Sequence, residues 1–273
     1  MFDIHVHIPD DSLFEALGER VTEASAKYFR AEVKKMGFRE AEEDLLAQGV
    51  KRYLLLPVPS RSFDASKINK LVYNYVSASN VAMGLAAVDP ARSPEEHIKE
   101  ALRLGLKGLK LHPNLQFIYP NDSRLKAVYK AIDDVGGIVL VHTGTSGIGG
   151  GLRGGGGFKL DYSRPIWVDD VAAEYPNANF ILAHFGWPWV SEAIAISLQK
   201  ANVYLDLSGW SPKYIPQEVW SYTNTLLQDR VVAGSDYPFI KPKRWLEEFS
   251  HVPLKDEVRE KVLHLNSERL LRL

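Results

Sequence analysis

Gly137-Ile138-Val139-Leu140-Val141-His142-Thr143 reads as a strand with no polar face until it reaches His142. A strand wetted on one side alternates apolar and polar residues. A near-continuous branched apolar run is the pattern of a parallel strand covered on both faces. Seven further runs of this kind recur along the chain, at 2–8, 50–57, 81–88, 108–112, 179–185, 203–208 and 230–235. Between them lie helical patterns. Ser93-Pro94-Glu95-Glu96 reads as a capping box with proline at the first helical position, opening a helix that runs to Leu104 and stops at Gly105. Asp122-Ser123 opens another that ends near Gly136. The stretches 165–175, 188–200 and 216–227 read as further helices. The last, 255–273, carries Val258, Val262, Leu265 and Leu270 on one stripe. Eight strands alternating with helices predict a (β/α)8 TIM barrel occupying 1–273 as a single domain, with an open doubly wound sheet as the alternative. The long segment 12–49 is expected to hold two helices, arranged as a flap.

The bulk composition narrows the function classes. The chain has 273 residues, no cysteine and a formal net charge of −1. Without cysteine there is no disulfide framework, no thiolate metal site and no thiol nucleophile, so any metal must be held by nitrogen and oxygen. A near-zero charge argues against a nucleic-acid or membrane-surface role. No stretch approaches the ~18 apolar residues of a membrane span, and no secretory signal is visible. The expectation is a cytoplasmic protein that acts on a small molecule.

The first strand, Phe2-Asp3-Ile4-His5-Val6-His7-Ile8, carries the sharpest chemical signal. Residues two apart share a strand face, which puts His5 and His7 ~6.6 Å apart. Two imidazoles at that spacing can converge on one divalent cation. Ile4, Val6 and Ile8 are expected on the opposite, apolar face. In a barrel the chemistry lies at the C-terminal ends of the strands. Lys110 and His112, His142, His184, Asp206 and Asp236 all fall there, each interrupting an apolar run where an unpaired polar group is costly.

Taken in order, these pieces resemble the amidohydrolase superfamily, in the branch of TIM-barrel metal-dependent hydrolases that includes the aminocarboxymuconate semialdehyde decarboxylase-like enzymes. The matching segments are Asp3-Ile-His5-Val-His7, Gly108-Leu-Lys110-Leu-His112-Pro113, Val141-His142-Thr-Gly144, Ala183-His184-Phe-Gly186, Asn202-Val-Tyr-Leu-Asp206, Gly234-Ser-Asp236-Tyr-Pro238 and Leu265-Asn266-Ser-Glu-Arg269-Leu-Leu271. The resemblance implies that His5, His7, His142 and Asp236 hold one divalent metal, Zn²⁺ first among the options. It also implies that His184 and Asp236 are the catalytic proton carriers, working on a metal-bound hydroxide that attacks an amide, lactone or ester carbon. The same residues serve the rival reaction, non-oxidative decarboxylation of an aromatic or unsaturated acid. A metal-free small-molecule-binding barrel is the reading from another class. In other branches the strand-4 lysine is carbamylated and bridges two metals. In this branch it stays an ammonium, and Lys110 would then pair with Asp3 or Asp206.

Substrate contacts are expected from His112, Lys110 and an arginine, with Arg61, Arg153 and Arg164 as options for gripping a carboxylate. An arginine pair at the metal mouth would favour decarboxylation; a mouth without one would favour hydrolysis. The glycine-rich stretch 144–157 is expected to form a lid with Arg153 at its tip. Trp187, Trp189 and Trp210 follow strands 6 and 7, where they would line the pocket or an interface. The family is commonly dimeric, so a homodimer is one expectation. His97, His251 and His264 lie in helical segments and read as ordinary histidines.

Overall fold

The structure is a computed structural model that describes residues 1–9, 33–59 and 63–273. Most of the segment expected to form a flap, and Arg61, lie outside those residues. Within them, eight short parallel strands alternate with helices: β1 (Phe2–Val6), β2 (Arg52–Leu55), β3 (Ala82–Gly84), β4 (Gly108–Leu111), β5 (Ile138–His142), β6 (Asn179–Ala183), β7 (Val203–Asp206) and β8 (Val231–Val232). They form runs β1–β2–β3 and β4 through β8. Two single bridges, Ala86 with Leu109 and Val6 with Tyr237, join the runs into one ring. Backbone bonds stitch the seams: Lys110 N to Ala86 O at 2.8 Å, Ile4 N to Ala233 O at 3.0 Å and His7 N to Tyr237 O at 2.8 Å. The barrel is closed, so no edge strand needs protection.

The apolar residues divide into two layers. The larger cluster includes Leu109, Val139, Leu182 and Leu205 on the outward faces of the strands, with Ile98, Ile132 and Trp245 from the helices. The smaller contains Phe2, Ile4, Leu54, Leu85, Leu140, Ile181 and Val232. It plugs the barrel interior below the polar strand ends. Full burial of a Leu or Ile contributes about 1.5–3 kcal/mol, so the plug is a packed floor.

One expectation for β1 fails, and the failure matters. Ile4 does not share a face with Val6 and Ile8: Ile4 belongs to the interior plug, whereas Val6 and Ile8 belong to the outer layer. The pairing with β2 explains why. Asp3 pairs with Tyr53 and Val6 with Leu55, so two residues of β1, Ile4 and His5, oppose Leu54 alone. This is a β-bulge, which inserts one residue and re-aims those that follow. Below the bulge Phe2 and Ile4 fill the floor; above it His5 and His7 turn inward.

The helical reading holds with two corrections. Ser93 makes no side-chain cap and sits at φ +45°; its carbonyl oxygen accepts from Glu96 and His97 instead, and the helix Pro94–Arg103 starts behind it. The C-terminal segment is not one continuous stripe. A π-helical turn, Lys261–Leu265, separates Asp256–Glu260 from Asn266–Leu271. The wider turn rotates the pattern, leaving Leu265 51% exposed while Asn266 is fully buried. Asn266 is satisfied there by the carbonyls of Gln228 and Val231.

Gly108 marks the tightest point of the β4–β5 seam. It sits at φ +144°, and a Cβ there would lie 1.8 Å from the Ile138 carbonyl oxygen. Overpacking and an unfavourable φ each cost about 1–3 kcal/mol. Gly108→Ala is expected to lower stability by about 3 kcal/mol or more in urea unfolding. A variant with the wild-type midpoint would mean that the seam is looser than described.

Candidate metal centre

The bulge is held by a buried carboxylate. Asp3 accepts from the backbone N–H of His5 at 3.1 Å and of Ser235 at 2.9 Å, and from the Ser235 hydroxyl. One side chain thus fixes both the bulged residue of β1 and the turn after β8. Burial raises its pKa to about 7 even against these bonds. The turn it holds delivers Asp236 at φ +67°, and the one after β6 delivers His184 at φ +63° and Phe185 at φ +44°. Left-handed backbone at non-glycine residues is strained and concentrates at functional sites.

Three of the expected ligands converge. His5, His7 and Asp236 each offer an atom within 4.8 Å of the other two, and all three are buried. Their hydrogen bonds set the tautomers. His7 Nδ1 faces the Leu56 carbonyl at 2.9 Å, and His5 Nδ1 faces Asp206 Oδ2 at 2.6 Å. Both partners are acceptors, so each neutral ring carries its proton on Nδ1 and turns a bare Nε2 inward. Those two nitrogens lie 3.4 Å (His7) and 3.6 Å (His5) from Asp236 Oδ1. Two lone pairs and a carboxylate oxygen facing one another call for a cation among them. A carboxylate behind a ligating histidine is the usual support of such a site.

His142, the fourth expected ligand, does not join that group of three. It stacks on His112 with centroids 4.0 Å apart, and its Nδ1 lies 3.1 Å from His184 Nε2. Its Nε2 is buried with no hydrogen-bond partner, as is His112 Nδ1. His184 sits between His142 and His5, at centroid distances of 4.8 and 4.9 Å. His184 Nδ1 faces the Ser208 carbonyl at 2.9 Å, so its proton is on Nδ1 and its Nε2 is free to accept. The donor set is nitrogen and oxygen only, buried, partly unpartnered and proton-free on the inward side. It fits a divalent cation.

Lys110 is buried in the same layer, with Nζ 3.2 Å from His5 Nε2. Burial lowers its pKa to about 8, opposed by the charges of Asp236 and Asp206. Asp3 is not its partner; that carboxylate is spent on the bulge. Asp206 is raised to about 7 by burial, although Ser208 bonds and Lys110 act the other way. Burial, followed by neighbouring positive charge, holds His5 and His112 well below the ordinary imidazole range. For His142 the order is burial and then His112. Burial brings His184 to about 4 against the pull of Asp236. Burial pushes Asp236 up, but the surrounding imidazoles of His7 and His184 and the charge of Lys110 outweigh it and keep it below the usual carboxylate value.

Arg164 is tied to Glu192 in a bidentate pair, and Arg153 is exposed. The glycine-rich stretch turns through left-handed backbone at Gly154, Gly155 and Gly156 (φ +61°, +62° and +65°) and is followed by a short 3₁₀ segment, Leu160–Ser163. Its ends are pinned together where Gly144 N donates to Ser163 O at 2.8 Å and the Ser163 hydroxyl donates back to Gly144 O at 2.9 Å. Trp187 and Trp210 pack together with centroids 5.1 Å apart beside these loops. Ser208 and Ser235 were not singled out from the sequence. Ser208 was findable, because it shares strand parity with Asp206.

The chain belongs to the amidohydrolase family: the model described as Amidohydrolase matches residues 2–273. Comparison with curated proteins finds no match. Solved structures are similar over their full length. An uncharacterised TIM-barrel protein of Bordetella bronchiseptica shares 22% identity at a TM-score of 0.81, covering 100% of this chain and 98% of that one. A 5-carboxyvanillate decarboxylase of Novosphingobium aromaticivorans, solved with manganese, shares 14% at 0.75, covering 100% and 97%. A probable 2-pyrone-4,6-dicarboxylic acid hydrolase of Acinetobacter baumannii shares 14% at 0.70, covering 100% and 99%. These likenesses establish the TIM-barrel fold. The protein is an amidohydrolase-superfamily enzyme with a buried His-His-Asp candidate metal site. Among the described residues no helix is long and apolar enough to cross a membrane.

The titration pattern makes a prediction. His5, His112, His142 and His184 have folded pKa values below 6.5, so they take up protons on unfolding, and stability falls as pH drops from 6.5 towards about 4. Asp3 and Asp206, raised from 3.8 to about 7, work the opposite way over the same window, but the imidazoles outnumber them. Metal-stripped protein is expected to melt at lower temperature at pH 4.5 than at pH 6.5, and His112→Gln to show a shallower decline. An equally steep decline in the variant would count against a neutral buried His112.

Proposed function

We propose that this enzyme is a metal-dependent hydrolase of a small molecule, cleaving an amide, lactone or ester bond. The observation that carries the reading is the convergence of His5 Nε2, His7 Nε2 and Asp236 Oδ1 beside the unprotonated Nε2 of His184. His5, His7 and Asp236 would hold one divalent ion, with His142 completing the set through a ring nitrogen. Three imidazoles and one carboxylate suit Zn²⁺, with Mn²⁺ as the competitor suggested by the decarboxylase structure. Bound there, the ion supplies Lewis acidity that lowers the pKa of water towards neutrality and polarises a carbonyl oxygen.

The protein's own groups divide the remaining work. His184 accepts a proton from the attacking water at Nε2 and returns it to the leaving group. A ring with an intrinsic pKa near 4 stays neutral, and so competent as a base, well below pH 7. Asp236 both ligates and stabilises the protonated His184. Lys110 balances the charge of Asp236 and Asp206, and His112 backs the ring of His142. The apolar floor and the closed barrel exclude bulk water from below.

Decarboxylation is the second reading. It needs a cation to seat the substrate's carboxylate at the mouth. Of the three candidate arginines, Arg164 is committed to Glu192, Arg153 is exposed and Arg61 lies outside the described residues. A metal-free binding barrel is the third, and metal content separates it from both.

Elemental analysis of protein purified without chelator tests the centre. About one zinc or manganese per chain is expected, falling to a tenth or less in His5→Ala, Asp236→Ala and His142→Ala. His184→Ala should retain the metal and lose at least 100-fold in kcat on the lactone, amide or ester that the wild type cleaves. Protein that binds no metal after reconstitution would sink the proposal. Release of CO₂ from carboxylic acids, with no hydrolysis across the panel, would replace it by the second reading.

A further inference from the structure

Ser208 is fully buried just past the end of β7, at the parity of Asp206. Its backbone N–H donates to Asp206 Oδ1 at 2.8 Å, and its hydroxyl donates to Asp206 Oδ2 at 2.7 Å. The same hydroxyl oxygen lies 2.9 Å from His5 Nδ1 and 3.1 Å from His184 Nδ1. Its carbonyl oxygen also faces His184 Nδ1, at 2.9 Å. A serine hydroxyl has one proton and two lone pairs. With the proton given to the carboxylate, both lone pairs face an imidazole N–H. With Asp206 ionised, no other arrangement satisfies all three contacts, because each Nδ1 also faces an oxygen that only accepts: Asp206 Oδ2 for His5 and the Ser208 carbonyl for His184.

We infer that Ser208 is a positioning residue whose hydroxyl ties one carboxylate, Asp206, to two imidazoles of different duty, His5 and His184. Asp206 already bonds His5 directly at 2.6 Å. Through Ser208 it also reaches His184, which among the described residues makes no direct bond to a carboxylate. Both rings are thereby locked with the proton on Nδ1 and the lone pair on Nε2, one aimed at the ligand cluster and the other at the reacting proton. The neighbouring backbone is shaped to allow this. Gly209 passes directly against the His184 ring at φ +74°, where a Cβ would lie 2.5 Å from Nδ1. The ring therefore has no room to swing away from Ser208.

The duties assigned to His5 and His184 rest on the hydrolase reading, but the tautomer lock does not, and the experiment separates them. Full-length protein reconstituted with Zn²⁺ and labelled with ¹⁵N-histidine would be compared as wild type, Ser208→Ala and Ser208→Cys. Imidazole N–H signals would be assigned through His5→Gln and His184→Gln. His7, which donates from Nδ1 to the Leu56 carbonyl away from Ser208, is the internal reference. In Ser208→Ala the Nδ1–H signals of both His5 and His184 should move upfield together while that of His7 stays. Ser208→Cys, which keeps the shape and weakens the bond, should move both part of the way. Supporting-group changes of this kind cost about 10–100-fold; on the wild-type substrate the loss should fall on kcat, with KM and zinc content unchanged. If only one signal moves, or neither, the bridge is overturned whatever the metal content. If both move in a protein that holds no zinc, the bridge stands and the hydrolase reading falls.

Discussion

One extra residue in the first strand is the constraint on which the site depends. Without the bulge at Ile4 and His5, the period of two would send either the floor residues Phe2 and Ile4 or the candidate ligands His5 and His7 to the outside of the barrel. A strand can serve both layers only by changing face between them. The bulge leaves a backbone N–H without a ladder partner, and the Asp3 carboxylate takes it. That carboxylate is shared with the turn after β8, so one buried group reinforces the backbone bonds that set against each other the two strands carrying the candidate ligand cluster. The cost is an acid so poorly solvated that its pKa approaches neutrality.

Above this seam the polar layer is organised by hydrogen bonds that fix tautomers. His7 is held by a backbone carbonyl, His5 by Asp206, and His184 by the carbonyl and hydroxyl of Ser208. In each case the outward nitrogen is spent and the inward one is left bare. Preorganisation here means that the direction of three lone pairs is determined by groups that need not move during a reaction. The burial that makes this possible keeps the rings of His5 and His184 neutral well below the ordinary imidazole range, so this part of the layer is stable only while it stays uncharged or is compensated.

Much of this was legible in the residues. Continuous apolar strands ending in histidine predicted a parallel sheet, and the count and order of the elements predicted the barrel. The strand ends placed His112, His142, His184 and Asp236 on one face of the molecule, and they are found together there. The bulge was not legible, because Asp-Ile-His-Val-His alternates well enough to pass for a regular strand; only pairing with β2 reveals the extra residue. The C-terminal stripe misled for a related reason. Its apolar residues fit a period of 3.6, but a π turn changes the period in mid-helix and exchanges Leu265 for Asn266. Ser93 carried the composition of a cap without its geometry. Arginines were sought as anion grips, yet Arg164 is absorbed by Glu192, a pairing between residues 28 apart that no local pattern encodes.

The closure of the barrel also orders events in time. Asp3 and Ser235, the pair that sets the seam, are 232 residues apart in the chain. Contacts from β1 through to β8 can form between strands adjacent in the chain, but this one, with the seam bonds from Ile4 to Ala233 and from His7 to Tyr237, waits for the whole ring. A chain leaving the ribosome therefore presents His5 and His7 long before Asp236 exists, and no competent cation cage can assemble until the final strand docks. An ion held by the candidate site would bind only the closed ring and would thereby favour it over any partly wound intermediate.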